Sequence, residues 1–176
     1  MANIESFKAN LTGGGARANQ FEVTMNFPAL SIPGQASRKF TYLCKASSLP
    51  GSTIGAVEVP YRGRILKIAG DRTFEPWSIT IINDTGFEVR NAFEAWSNGI
   101  NGHNSNTGLS NPTHYQADAI IEQLDKEGNV TKTYDFRGLW PSNIGAIDVS
   151  YETADTIQEF TVELQVQYWE STGTTT

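Results

Sequence analysis

The sequence predicts a mainly β fold, a β-sandwich or barrel with one packed α-helix. The first observation is the stretch from Thr156 to Glu170, where apolar residues at even positions from Phe160 to Tyr168 alternate with polar residues at odd positions. Such alternation is typical of a strand that buries one face. The second is that shorter alternating segments recur along the chain, with turn residues between them. The third is that only one segment, 85–100, has helical spacing.

Four segments predict strands in the first half of the chain. Residues 21–27 and 39–46 alternate, 57–69 predict short strands, and 74–83 predict another strand; a turn-rich connection over 28–37 and a loop over 47–55 lie between them. The apolar face of the second segment consists of Phe40, Tyr42, Cys44 and Ala46. Cys44 is therefore interpreted as a small buried hydrophobe and not as a nucleophile.

Residues 85–100 predict the helix. Thr85 and Glu88 form a capping-box pattern at its start. The residues that recur on one helical face are Val89, Phe93, Trp96 and Ile100. Gly99 predicts the stop.

The second half predicts two hairpins. The first joins 117–124 to 130–136 through a short loop that contains glycine. A bend over 138–145 leads to the second, in which 147–151 pairs with the terminal strand inside 144–169. The polar side chains expected on one face of this last hairpin are Asp148, Ser150, Glu152, Glu159, Thr161, Glu163, Gln165 and Gln167. This face has two interpretations, a solvated outer sheet face or a face that meets one kind of partner. No Lys or Arg follows Arg137, which favours the second because a solvated face usually carries both signs of charge.

One domain is expected over 1–176, because a chain of this length buries a core without staples. Residues 1–20 predict a flexible N-terminal arm that is Gly-rich near its end, and 171–176 predict a disordered polar tail. The long loop over 100–113 is polar. His103 and His114, in and beside it, have no further ligands at useful spacing, so no metal site is predicted.

Composition excludes several function classes. The formal net charge of −6 argues against a protein that grips nucleic acid through its phosphates. The single cysteine excludes an intramolecular disulfide. No signal peptide, membrane span, hydrolase motif or phosphate-binding motif is recognisable. The chain is therefore predicted to be a non-enzyme without a cofactor or metal, and without membrane insertion.

A basic cluster formed by Arg62, Arg64 and Lys67 has two interpretations. It is a solvated edge, or it meets acidic residues on a neighbouring copy of the chain.

Several motifs in this order resemble the major tail tube protein of contractile-tailed bacteriophages of the myovirus type. They are KASSLP (45–50), KIAGDRTFEPWSITIIND (67–84), FEAW (93–96), GLWPSNIG (138–145) and IQEFTVELQVQYWE (157–170). The resemblance runs from Phe21 to Glu170. The AGDRTF-x-x-W and GLWP-x-N-x-G blocks are specific when they occur together.

The resemblance implies a structural virion protein that is assembled in the host cytoplasm. Six copies form a ring whose hairpins join into one continuous β-barrel, and the rings stack into a tube inside a contractile sheath. The implied partners are other copies of the chain, the sheath protein, the baseplate tube initiator, and the terminator and tape-measure proteins. Double-stranded DNA passes through the lumen without specific binding.

On this interpretation the polar face of the last hairpin lines the lumen. The residues expected there are Asp148, Glu159, Glu163, Gln165 and Gln167. Ring stacking is expected to use the N-terminal arm, the 47–55 loop and the C-terminal tail, with Arg62, Arg64 and Lys67 as inter-subunit contacts.

Three alternatives stay open at this point. One is a baseplate tube initiator or the tube protein of a related injection machine, although initiators tend to be longer. The second is a carbohydrate-binding β-sandwich that exposes Trp77, Trp140 and Trp169. The third, an esterase or glycosidase on a β scaffold, lacks the motifs that such enzymes carry.

Overall fold

A computed structural model describes residues 3–11, 13, 15–31 and 35–173. This part of the chain contains nine strands and four helices. The strands are β1 (Phe21–Asn26), β2 (Cys44–Ser47), β3 (Ser52–Tyr61), β4 (Arg64–Phe74), β5 (Trp77–Ile82), β6 (Ala117–Leu124), β7 (Val130–Ile144), β8 (Glu159–Gln165) and β9 (Tyr168–Ser171). The helices are α1 (Ile4–Asn10), α2 (Ala36–Leu43), α3 (Glu88–Ile100) and α4 (Pro112–Tyr115).

Seven strands form one antiparallel sheet, and the other two form a separate hairpin. The order in the sheet is β1-β6-β7-β8-β5-β2, with β9 paired to β7. The two strands of the long hairpin, β3 and β4, pair only with each other. The prediction of a mainly β fold is confirmed, but the sheet does not close into a barrel and the described chain has more than one helix.

The 15-residue strand β7 belongs to both halves of the sheet. Tyr134 in its first half pairs with Ile121 of β6 on one side and with Ser171 of β9 on the other. Its last residues, 140–144, pair with β8 instead. Trp77 of β5 stacks on Phe136 of β7 with ring centroids 4.9 Å apart, so the core joins the two halves.

Helix α3 covers the core as its sequence predicts, but it begins differently. Val89, Phe93 and Trp96 are fully buried. The helix starts at Glu88, whose backbone N–H donates to Oδ1 of Asp84. The predicted capping box at Thr85 is therefore wrong, because Asp84 supplies the acceptor from one residue earlier. The helix also continues past the predicted stop at Gly99 to Ile100.

The strand predicted over 39–46 is wrong. Residues 36–43 form helix α2, and only Cys44–Ser47 is extended. Phe40 is fully buried while Tyr42 is 78% exposed, so these residues do not share a face. Burial raises the pKa of the Cys44 thiol to about 12, which agrees with its interpretation as an unreactive side chain.

The predicted second hairpin is also corrected. Residues 138–144 continue strand β7 instead of bending, and 147–151 form no strand. Val149 and Tyr151 are strongly exposed, so their alternation has no core to face. The terminal strand is interrupted at 166–167, where the chain leaves β8 and begins β9 beside the other half of β7.

The remaining predictions concern connections and termini. The first hairpin, β6 to β7, is confirmed. The loop predicted over 47–55 shortens to residues 48–51 because β3 begins at Ser52. Part of the predicted N-terminal arm is helix α1, and the end of the predicted tail, 174–176, lies outside the described residues. No helix in the described part of the chain is long and apolar enough to cross a membrane.

Candidate assembly surfaces

The outward side of β5 and β8 forms a polar sheet face. Alternation puts Trp77, Ile79 and Ile81 of β5 into the core and leaves Ser78 and Thr80 outside. Ser78 pairs with Glu163, and Thr80 pairs with Thr161. The polar residues of this face, called the polar sheet face, are Ser78, Thr80, Glu159, Thr161, Glu163 and Gln165. Half-buried Ile82 and Trp140 lie on the same side, where they pair with Glu159 and Gln165.

This face carries little net charge. Nζ of Lys45 in β2 lies 2.6 Å from Oε1 of Glu159, which compensates that carboxylate. Glu163 is exposed and forms no ion pair with any described residue. The side-chain amide of Gln165 donates to the hydroxyl of Ser142, which donates to the carbonyl of Glu163. Glu163 is therefore the carboxylate that gives the face its charge.

The structure brings together three of the five residues predicted for the lumen. Glu159, Glu163 and Gln165 share the polar sheet face. Gln167 lies past the end of β8, where its backbone N–H donates to the carbonyl of Arg137. Asp148 lies in the irregular connection between β7 and β8, because the strand expected to carry it does not form. Their role in a lumen stays a prediction.

The half of the sheet that carries the polar face ends in two strand edges. Its order is residues 140–144 of β7, then β8, β5 and β2. Strand β2 pairs with β5 alone, and β6 pairs with β7 only as far as Leu139. Each end of this half therefore presents backbone groups without a strand partner in the described chain, a geometry that accepts another strand.

The long hairpin formed by β3 and β4 has one apolar face. Val57 pairs with Ile68, Val59 with Leu66, and Tyr61 with Arg64, and directly paired residues share a face. The apolar hairpin face consists of Val57, Val59, Tyr61, Leu66 and Ile68, all of them exposed. The opposite face carries Glu58 and Lys67, whose charged atoms lie 3.4 Å apart.

The tip of this hairpin is a two-residue turn in which both residues have positive φ. Gly63 has φ +82° and adopts it freely, but Arg62 has φ +46°, which costs a non-glycine residue energy. Its guanidinium lies over the ring of Tyr61 at 5.4 Å. Of the three predicted inter-subunit cations, Arg62 and Arg64 form no ion pair with described residues, whereas Lys67 binds Glu58 in its own chain.

The sequence interpretation did not predict the apolar hairpin face. The signal was present as the alternation of V-E-V-P-Y before the turn and of L-K-I after it. Alternation predicts a buried face, and here nothing in the described chain covers it.

Two other kinds of site, a metal site and an aromatic platform for carbohydrate, were compared with the described residues. Within them, no group of three or more His, Cys, Asp or Glu residues is placed to hold a metal ion. Of the three tryptophans expected to be exposed if the chain bound carbohydrate, Trp77 is fully buried and Trp140 and Trp169 are partly buried.

Comparison with known proteins decides the family. The sequence model of the family described as Phage tail tube protein matches residues 16–172. The chain belongs to the phage tail tube protein family. The tail tube protein of Serratia phage KSP90 is 34% identical over 167 residues, 94% of this chain and 94% of that one. Tail tube protein gp19 of Enterobacteria phage T4 is 32% identical over 160 residues, 90% of this chain and 93% of that one.

Solved structures show the same fold at low sequence identity. One is a chain of the sheath-tube complex of the extracellular contractile injection system PVC in its extended state, with a TM-score of 0.67 and 12% identity over 94% of this chain and 96% of that one. Another is a chain of the anti-feeding prophage baseplate, with a TM-score of 0.64 and 15% identity over 92% and 97%. The tail tube interpretation is confirmed: this is a structural protein of the phage virion tail tube.

Proposed function

We propose that six copies of this tail tube protein join edge to edge into a ring and that the rings stack into the tube inside a contractile sheath. The observation that carries the proposal is the pair of unpaired edges at opposite ends of one half-sheet. In the ring, β2 of one copy pairs with residues 140–144 of the next. Ring closure then gives both edges of this half-sheet a strand partner, which removes two edges that would otherwise be sites of aggregation.

The polar sheet face lines the bore of this ring. Hydroxyls and amides dominate it, and Lys45 already binds Glu159, so Glu163 supplies the repeated free charge. DNA carries one negative charge per roughly 1.7 Å of helix axis. A wall without free cations gives phosphates no binding site, and its repulsion reaches about 8 Å at physiological salt. DNA therefore passes without adhering.

Stacking uses the long hairpin, which presents apolar side chains and two uncompensated cations. Arg62 and Arg64 meet acidic residues of a neighbouring copy, while Lys67 acts within its own hairpin. The N-terminal arm and the tail are further proposed stacking contacts. The sheath, the baseplate tube initiator, the terminator and the tape-measure protein are proposed partners because the family resemblance implies them.

Electron microscopy of negatively stained protein tests the proposal. The purified chain is examined alone at rising concentration and after addition to isolated baseplates. Rings, or tubes with a stain-filled bore, are the expected result. A chain that stays monomeric under both conditions contradicts the proposal. Growth restricted to a single ring on the baseplate would instead favour the tube initiator.

A further inference from the structure

We infer that the apolar hairpin face of one copy packs against the β7–β8 connection, residues 145–158, of another copy in the tube. The inference rests on the proposed function and names the surface that the long hairpin meets.

The long hairpin needs a partner to be ordered in water. A two-stranded hairpin alone is marginally stable at best. Strands β3 and β4 have extensive contacts only with each other among the described elements, apart from their base, where Phe74 lies against the ring of Trp169. Tyr61 is 66% exposed and Leu66 is 59% exposed. A contiguous apolar face of this kind marks an interaction site.

The β7–β8 connection also lacks a cover for its apolar side chains. Val149, Tyr151 and Ile157 are all strongly exposed. The connection is held at its start, where the guanidinium of Arg90 donates to the carbonyl of Gly145 and the Gly145 N–H donates to the carbonyl of Thr161. It therefore presents apolar groups from a fixed base.

The charges of the two segments are complementary. The connection contains Asp148, Glu152 and Asp155, and it contains no Lys or Arg. None of these acids forms an ion pair with a described residue, and the same holds for the two arginines at the hairpin tip. Apolar packing with opposite charges around it is the usual composition of a specific protein interface.

Other surfaces fit the hairpin less well. Near helix α3, Asp84 and Glu88 are already bound to Lys39, and Glu94 is bound to Arg90. Helix α1 exposes apolar residues, but Glu5 and Lys8 leave it without net charge. Of these surfaces, only the β7–β8 connection combines exposed apolar residues with uncompensated acids.

Photo-cross-linking in assembled tubes maps the contact directly. Tyr61 is replaced by p-benzoylphenylalanine, the tubes are irradiated, and cross-linked peptides are identified by mass spectrometry with isotope-labelled copies mixed in. The expected product joins Tyr61 of one copy to residues 145–158 of another. The matched control carries the same group at Ile65, which is 59% exposed on the opposite face, and should not give this product. A Tyr61 product that maps to another segment overturns the inference.

Charge exchange gives a second test if the photoreactive variant does not assemble. Replacing Arg62 and Arg64 by Glu should abolish tubes, and replacing Asp148 and Glu152 by Lys should do the same. The two sets combined should restore tubes. Two results overturn the inference. One is that tubes persist after either pair of substitutions alone. The other is that each pair alone abolishes tubes, every variant is folded, and the four substitutions combined still give no tubes. Tubes formed by the wild-type chain in the same experiment support the proposed function. If the wild-type chain forms no tubes even on baseplates, that result counts against the proposed function and not against this contact.

Discussion

Lys39 joins helix α2 to the beginning of helix α3 through two carboxylates. Its Nζ lies 2.7 Å from Oδ2 of Asp84 and 2.8 Å from Oε1 of Glu88. The hydrogen bond from Lys39 holds the pKa of Asp84 below its ordinary value, and the backbone N–H of Glu88 adds to this effect. These contacts also raise the pKa of Lys39. One residue of α2 thus binds both carboxylates at the beginning of α3.

Asp84→Asn should lower the melting temperature at neutral pH. On acidification, the melting temperature of the variant should decrease less than that of the wild-type protein. A carboxylate whose pKa is lowered in the folded state stabilises the fold at pH values above its pKa in the unfolded chain, which is about 3.9. This stabilisation is lost as the pH falls through the folded-state pKa. Asparagine still accepts from the Glu88 N–H, so the change isolates the charge. Thermal unfolding of both proteins from pH 7 to pH 2 measures it. A melting-temperature difference that does not shrink in acid would contradict this assignment.

Gly138 allows β7 to pass from one half of the sheet to the other. Its φ is +67°, and an added Cβ would lie 2.8 Å from Cβ of Gln167. Gly138→Ala therefore combines backbone strain with overpacking. The overpacking should lower the free energy of unfolding by about 1–3 kcal/mol more than the strain alone. Gly128→Ala is the matched control, because Gly128 has φ +85° with open space around it. Urea unfolding should rank Gly138→Ala as the more destabilising change, and equal losses would argue against the close packing.

Helix α2 can be distinguished from the predicted strand by two neighbouring aromatic residues. In a strand, Phe40 and Tyr42 would be buried together, whereas the helix buries Phe40 and exposes Tyr42. Phe40→Ala should cost about 3–5 kcal/mol of unfolding free energy. Tyr42→Ala should stay within about 0.5 kcal/mol. Chemical denaturation measures both, and comparable losses would favour a strand.

Helix α2 and residues 147–151 show where a sequence pattern does not determine the structure. Phe40 and Cys44 lie four positions apart, a spacing that fits one helical face as well as one strand face. Residues 147–151 alternate correctly, but no sheet lies beside them. Alternation predicted the strands that have a core to face, such as β1, β5 and β6. Alternation alone does not distinguish a segment that lies beside a sheet from a segment that does not.

At the scale of the whole molecule, the polar sheet face was partly predictable. Glu159, Glu163 and Gln165 were placed together because their alternation continues along one real strand. Asp148 was added through a strand that does not form, and Gln167 lies beyond the interruption at 166–167. The interruption depends on β7 changing partners, a long-range event that local residues do not encode.

The proposed bore predicts a specific effect of charge. Glu163→Lys should leave tube length unchanged and slow DNA release, because a repeated cation on the polar sheet face would bind phosphates. Glu127→Lys makes the same charge change at the exposed β6–β7 turn and serves as the control. Release of DNA from purified virions measures the effect. Equal rates for both variants would remove Glu163 from the bore.

A map of the assembled tube from electron cryomicroscopy, at a resolution that shows side chains, tests the edge-to-edge ring. We expect β2 of one copy to pair with residues 140–144 of the next, and Thr161 and Glu163 to face the bore. A tube whose polar sheet face lies on the outer surface, or whose copies meet without pairing these edges, would contradict it.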